Sequence, residues 1–404
     1  MRIKLAHVVI SFVLLPIILC SSAHAATYEI HPGVRASYEY TDNYFGTAHD
    51  EESENIYEIG PSLDFSWATQ TLTWENSGYI AKRYHEEFDE DDSTEATLES
   101  HLAASSIRHA LDLTYSYIQT RDRESLEDPR GITRVNTGSV GYTNTLSQET
   151  ALSLGYSLTD ENNPSPDEDI LSQGPTISLT HQLTPRGSLS ASFGYVYYDY
   201  EISENTWVST SSAHWGYMVT PSLELGTGFS YEHQDRGRLP SENIYSASLT
   251  AGYVLGRHTT IDVAGGYSWL AMEHEDRQST YTLDAAITRE TRYDVFSLSA
   301  SKGYTAEFTT DRYGTYDTWS VEGSWDRTLM RTLVFSASVS ITDNKPTSDT
   351  FEERERDKVG TAALAWTPSE HFEARVSYER LRHEYEISDT EKENRYRIII
   401  EGRY

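Results

Sequence analysis

The side chains here with most chemical potential are carboxylates, and they come in clusters. Asp50, Glu51, Glu52 and Glu54 form one, Glu86, Glu87, Asp89, Glu90, Asp91 and Asp92 a second, and Asp167, Glu168 and Asp169 a third. Hard oxygen ligands grouped in this way could hold Ca2+ or Mg2+, bridging to the phosphates of a lipopolysaccharide surface. None follows the spaced Asp/Asn/Gly pattern of an EF-hand loop. Solvated, mutually repelling loops are the plainer reading, and no cofactor is expected.

A second set mixes both signs. Asp262, Asp284, Glu373, Arg375, Glu379, Arg395, Arg397, Glu401 and Arg403 recur at alternate positions of extended segments. Opposite charges on neighbouring strands would pair and shape a polar interior. The histidines that could serve a hydrolase are His85, His101, His109, His233, His274 and His383. No Gly-x-Ser-x-Gly elbow or His-x-x-x-His zinc pattern accompanies them, so no enzyme is expected. A net charge of -31 without a basic stripe speaks against a nucleic-acid partner.

The elements that must position these residues are short alternating strands. Leu111, Leu113, Tyr115 and Tyr117 share one face, against Asp112, Thr114 and Ser116 on the other. Ile261, Val263, Tyr267 and Trp269 oppose Thr260, Asp262 and Ser268, and Phe372, Ala374, Val376 and Tyr378 oppose Glu373, Arg375, Ser377 and Glu379. The last segment sets Tyr396, Ile398, Ile400, Gly402 and Tyr404 against Arg395, Arg397, Glu401 and Arg403. A period of two is the mark of a half-buried strand.

Residues 1–25 read as a cleaved secretory signal: Arg2 and Lys4 are basic, Ala6 to Cys20 is almost wholly apolar, and Ala23-His24-Ala25 suits a signal peptidase. Its removal takes away the only cysteine and moves the net charge from -31 to -33. Beyond it no apolar run approaches the ~20 residues of a spanning helix. A membrane-embedded chain of this kind has one option, a closed barrel, because an open sheet edge would leave unpaired amides in hydrocarbon.

Two classes of connection alternate along the chain. Short ones fall at Ala68-Thr69, Ile107-Arg108, Leu146-Ser147, Leu183-Thr184-Pro185, Thr220-Pro221, Gly256-Arg257, Glu290-Thr291, Thr328-Leu329 and Pro368-Ser369. Long or charged ones centre on 42–54, 86–93, 121–133, 160–171, 201–206, 234–242, 274–279, 306–314, 343–354 and 385–391. They divide residues 26–404, a single domain, into about 20 strands of an all-β, antiparallel transmembrane outer-membrane barrel. Long loops lie outside in such barrels and short turns in the periplasm, so both termini are expected to be periplasmic. Aromatic clusters such as Tyr38, Tyr40, Tyr44 and Phe45, and Tyr195, Tyr197, Tyr198 and Tyr200, predict two girdles at the headgroup levels.

The chain resembles the β-barrel porin-2 family of outer-membrane proteins, often met beside exopolysaccharide loci. The resemblance is carried by Gly33-Val34-Arg35-Ala36-Ser37-Tyr38 leading into Tyr40-Thr41-Asp42-Asn43-Tyr44-Phe45, by Ile59-Gly60-Pro61-Ser62-Leu63, and by the strand ends Thr159-Asp160-Glu161-Asn162 and Thr342-Asp343-Asn344. Tyr404 stands where such proteins carry the terminal aromatic read by the outer-membrane insertion machinery, with tyrosine in place of the commoner phenylalanine. The resemblance implies no catalytic residues. It implies a channel passing or exporting a polysaccharide or other hydrophilic solute, with outer-membrane lipid, lipopolysaccharide and polysaccharide-export components as partners. A structural or adhesive barrel binding through its acidic loops is the alternative.

Overall fold

The computed structural model describes residues 26–49, 51–121, 132–164, 167–201, 204–237, 239–272, 277–308, 313–347, 354–386 and 390–404. The expected signal peptide, Asp50 and His274 lie outside the described residues. The first ten strands are β1 (Thr27–Thr41), β2 (Glu54–Ala68), β3 (Leu72–His85), β4 (Ser93–Ser105), β5 (His109–Thr120), β6 (Thr133–Ser147), β7 (Thr150–Pro164), β8 (Asp167–Thr184), β9 (Gly187–Tyr200) and β10 (Thr206–Thr220). Ten more follow: β11 (Leu223–Arg236), β12 (Leu239–Leu255), β13 (Thr259–Met272), β14 (Gln278–Glu290), β15 (Asp294–Phe308), β16 (Tyr313–Met330), β17 (Leu333–Pro346), β18 (Glu355–Ser369), β19 (Phe372–Tyr385) and β20 (Glu391–Arg403).

Each strand pairs antiparallel with its neighbours in sequence, and β1 pairs with β20, which closes a 20-stranded barrel. The expected count of about 20 strands is borne out. The nine short turns fall within a few residues of their expected places, and both ends of the barrel chain lie on the short-turn side. The expected loop at 160–171 is a correction. Strands β7 and β8 run through Asp160–Pro164 and Asp167–Leu171 with continuous pairing, Asp160 opposite Leu171 and Asn162 opposite Asp169. Charged residues there continue a ladder whose register the apolar pairs Tyr156–Pro175 and Leu154–Ile177 already set.

Alternation decides which way every side chain points. Val34, Ile59, Leu98, Val140, Ile177, Phe229, Val263, Val376 and Ile398 are exposed large hydrophobic residues on the outer face, where lipid replaces water. Two aromatic layers bound this belt. The loop-side layer includes Tyr38–Tyr57, Tyr231–Tyr245 and Tyr378–Tyr396, with centroids 5.3, 5.0 and 4.9 Å apart. The turn-side layer includes Phe65–Trp74, Trp325–Phe335 and Trp366–Phe372 at 5.1, 5.6 and 5.9 Å.

Candidate functional site: a two-sided lumen with a narrowed mouth

The interior has two walls of different chemistry. Strands β19, β20 and β1 to β4 carry a ladder of ions. Arg397 bonds Glu39, Arg395 bonds Glu393, and Arg403 donates to Glu401 at 2.7 Å while lying 3.5 Å from Asp64. Arg83 lies 2.6 Å from Glu95 and 4.0 Å from Glu58. Glu39, Glu95 and Glu393 are buried, so each carboxylate needs its partner.

The remaining strands line the interior with hydroxyls that bond one another across the ladder. Thr114 meets Ser139 at 2.6 Å, Ser192 meets Ser212 at 2.7 Å, Ser301 meets Ser320 at 2.7 Å and Ser338 meets Thr361 at 2.7 Å. Below the mouth the charged residues among them are acids, including Glu224, Asp262 and Asp284 beside His214 in one recess. Among the described residues, every lumen-facing arginine below the mouth belongs to the first wall: Arg35, Arg83, Arg375, Arg395, Arg397 and Arg403. The lumen below its mouth is therefore mainly polar but electrically lopsided.

All nine residues expected to line the lumen share the parity of the inner face. Asp262 and Asp284 stand on the hydroxyl wall, on the adjacent strands β13 and β14, and line one recess. Glu373, Arg375, Glu379, Arg395, Arg397, Glu401 and Arg403 stand together on the ionic wall, with Glu379 opposite Arg395 and Glu373 opposite Glu401. Arg375 makes no ion pair among the described residues and is exposed to the lumen. Sequence reasoning missed Arg35, Glu39, Arg83, Glu95 and Glu393 on the same wall. The alternation Arg35, Ser37, Glu39 against Ala36, Tyr38, Tyr40 was the signal available.

Two segments narrow the extracellular mouth. On one side Tyr44, Phe45 and Phe88 pack together, with Tyr44 and Phe88 stacked at 5.5 Å and Phe45 edge-on to Phe88 at 5.0 Å. Glu54 is buried and accepts backbone N–H groups from Glu86 at 2.9 Å and Phe88 at 3.1 Å, which ties the β3–β4 loop down. The six carboxylates of that loop do not converge. Asp91 is buried 4.0 Å from Arg121 and Asp92 accepts the His85 N–H at 2.9 Å, whereas Glu86, Glu87, Asp89 and Glu90 are exposed. Among the described residues no group of three or more His, Cys, Asp or Glu side chains is placed to hold a metal ion.

On the other side the ends of β15 and β16 leave the wall. Pairing of β14 with β15 stops at Leu283 and Lys302, although β14 itself begins at Gln278. Beyond this split the hairpin leans inward over β14. Tyr304 packs on the buried lumenal cluster Ile244, Leu270 and Met272 of β12 and β13. Thr315 donates to Glu242, which Arg236 also bonds, and Asp317 accepts from Thr280 at 3.3 Å. Gly314, near the hairpin tip opposite Glu307, has φ 149°, a backbone region that side-chain-bearing residues rarely enter.

The histidines are dispersed. His101 lies 2.6 Å from Asp112 in the lumen, His383 2.7 Å from Asp357, and His109 2.7 Å from the Tyr142 hydroxyl on the outer face. The His233 ring donates to the Asn243 amide oxygen at 2.9 Å on the outer face, and His85 is buried at the mouth. No serine hydroxyl bonds the His101 ring among the described residues.

A closed barrel with a lipid-facing belt, two girdles and a polar interior is a bacterial outer-membrane β-barrel with periplasmic termini. Its apolar outer face requires lipid, and its insertion falls to outer-membrane barrel-assembly machinery. No protein-family model matches the sequence, and no curated protein matches it, so the porin-2 likeness rests on the short motifs alone. Solved structures do share the fold. The FrpB iron transporter from Neisseria meningitidis is 9% identical with a TM-score of 0.57, the match covering 93% of this chain and 82% of that one. The siderophore receptor PirA from Pseudomonas aeruginosa is 11% identical at 0.52, covering 94% and 81%. A ferric enterobactin receptor mutant from the same organism, in complex with enterobactin, is 10% identical at 0.55, covering 95% and 82%.

Proposed function

We propose that the barrel passes a hydroxyl-rich hydrophilic solute, such as an envelope polysaccharide, through its lumen. The observation that carries this reading is the division of the lumen into an ionic wall and a hydroxyl wall. Neutral hydroxyls exchange hydrogen bonds with a sugar at little net cost, and Arg375 offers a forked donor to any carboxylate the polymer bears. Polysaccharide-export components in the periplasm would be the natural suppliers, and Tyr404 would serve as the assembly signal. Its side chain is exposed while its N–H is held by Pro32 O at 2.8 Å.

Purified protein in planar bilayers tests the proposal. Ion current should flow, and acidic oligosaccharides should block it at lower concentration than neutral ones of equal length. A barrel that never conducts would overturn it.

The narrowed mouth favours a second reading, gated uptake of a compact cargo, as the names of the iron and siderophore receptors suggest. Saturable binding of ferric siderophores to the purified barrel, without current, would select it.

A further inference from the structure

The outer face of the loop-side rim is not uniform. On β7 to β11 it carries acids: Asp160, Asp169, Asp199 and Asp235 all share the lipid-facing parity. On β18 to β20 it is basic. Lys358, Arg382 and Lys392 stand directly opposite one another in register across the three strands, and Arg380 lies one outward position below Arg382. Like charges set directly opposite destabilise a sheet. One carboxylate, Glu384, relieves two of them, 2.6 Å from Lys358 and 2.7 Å from Arg382. Arg380 and Lys392 are exposed and have no carboxylate partner among the described residues. Of the other acids on this face, Asp343 is engaged with Arg354 and Arg356 and Asp42 with Asn394 at 2.7 Å, while Glu386 stands beside Arg354, whose carbonyl accepts its N–H at 3.0 Å.

Height along the strands identifies what could neutralise the excess. Tyr378, Tyr396 and Tyr40 form the aromatic layer just below, with Tyr40–Tyr396 centroids 6.2 Å apart. Arg380 is two residues beyond Tyr378, or about 7 Å along the strand. That distance matches the headgroup layer, which adds roughly 5–7 Å on each side of the hydrocarbon. The cations therefore face sideways into outer-leaflet headgroups rather than upward into solvent.

We propose that Lys358, Arg380, Arg382 and Lys392 form a binding site for the phosphorylated sugar headgroup of an outer-leaflet glycolipid, the lipid A part of lipopolysaccharide. Its phosphates supply the anions that the row lacks, and its acyl chains lie along Val376, Ile398 and Ile400 below. A chain with an excess of acids elsewhere on its rim thus holds one lipid in a fixed sector.

Titration of the full-length, detergent-solubilised barrel with bisphosphorylated lipid A, followed by native mass spectrometry, tests this. One lipid should bind with a defined affinity, dephosphorylated lipid A should bind far more weakly, and millimolar inorganic phosphate should not displace the lipid. Arg380→Glu with Lys392→Glu removes two cations and adds two anions, and should weaken binding by more than the roughly thirtyfold that loss of two charges' worth of headgroup attraction alone would give. Asp199→Asn on the opposite rim should leave it unchanged. If the charge-reversed protein does not fold, Arg380→Gln with Lys392→Gln carries the same test with a smaller loss. Equal binding of the dephosphorylated lipid, displacement by inorganic phosphate, or unchanged affinity in the folded variants would overturn the proposal.

Discussion

The ionic wall and the hydroxyl wall are built from the same alternating strands, yet they solve different problems. Nineteen of the strand contacts in the barrel join neighbours in sequence, where a connecting segment limits the possible registers. The seam between β1 and β20 has no such constraint, because its partners lie at opposite ends of the chain. Here side chains set the register: Arg397 to Glu39 and Thr41 to Glu393 inside, and Asp42 to Asn394 outside. Away from the seam, hydroxyl pairs suffice, and below the mouth the wall is left without fixed positive charge among the described residues. The ions are thus concentrated where closure is least determined by local sequence, and the lopsided lumen follows from that.

The largest effect should come from breaking the seam. Arg397→Ala strands the buried Glu39 carboxylate and should cost about 3 kcal/mol, whereas Ser212→Ala on the hydroxyl wall should cost about 1 kcal/mol or less. Urea unfolding of the two variants in lipid vesicles compares them directly, and equal losses would remove the distinction between the walls. Next in size is Tyr304→Ala, which removes the ring docked on Leu270 and Met272. A loss of about 2 kcal/mol of docking is expected, seen as larger single-channel current steps with little change in barrel stability.

Smaller still are effects on selectivity. Arg375→Gln should move the reversal potential in a salt gradient toward cations, and Thr210→Arg on the opposite wall should move it toward anions. If neither moved it, the two walls would not be setting the field in the pore. At 1 M salt, where the screening length is about 3 Å, both shifts should shrink toward zero.

Much of the barrel was legible in the sequence because lipid imposes a strict rule on every second residue. Tyr396, Ile398 and Ile400 against Arg395, Arg397 and Glu401 announce both the strand and its two faces. The acidic stretch at 160–171 misled for a related reason. Charge marks contact with water, and strands β7 and β8 extend past the membrane into water while remaining paired. The loop cluster at 86–92 was visible as acid, but its division into a buried Asp91 and exposed neighbours depends on Arg121, 30 residues further along.

The alternation, the two classes of connection and hence the strand count are written in the order of the amino acids, since these depend on residues near one another along the chain. Folding adds that the arginines share one wall, that the β15–β16 hairpin leaves β14 beyond Lys302, and that Lys358, Arg382 and Lys392 form a row. Each of these depends on which strands stand side by side and where a ladder ends, and closure of the barrel fixes that.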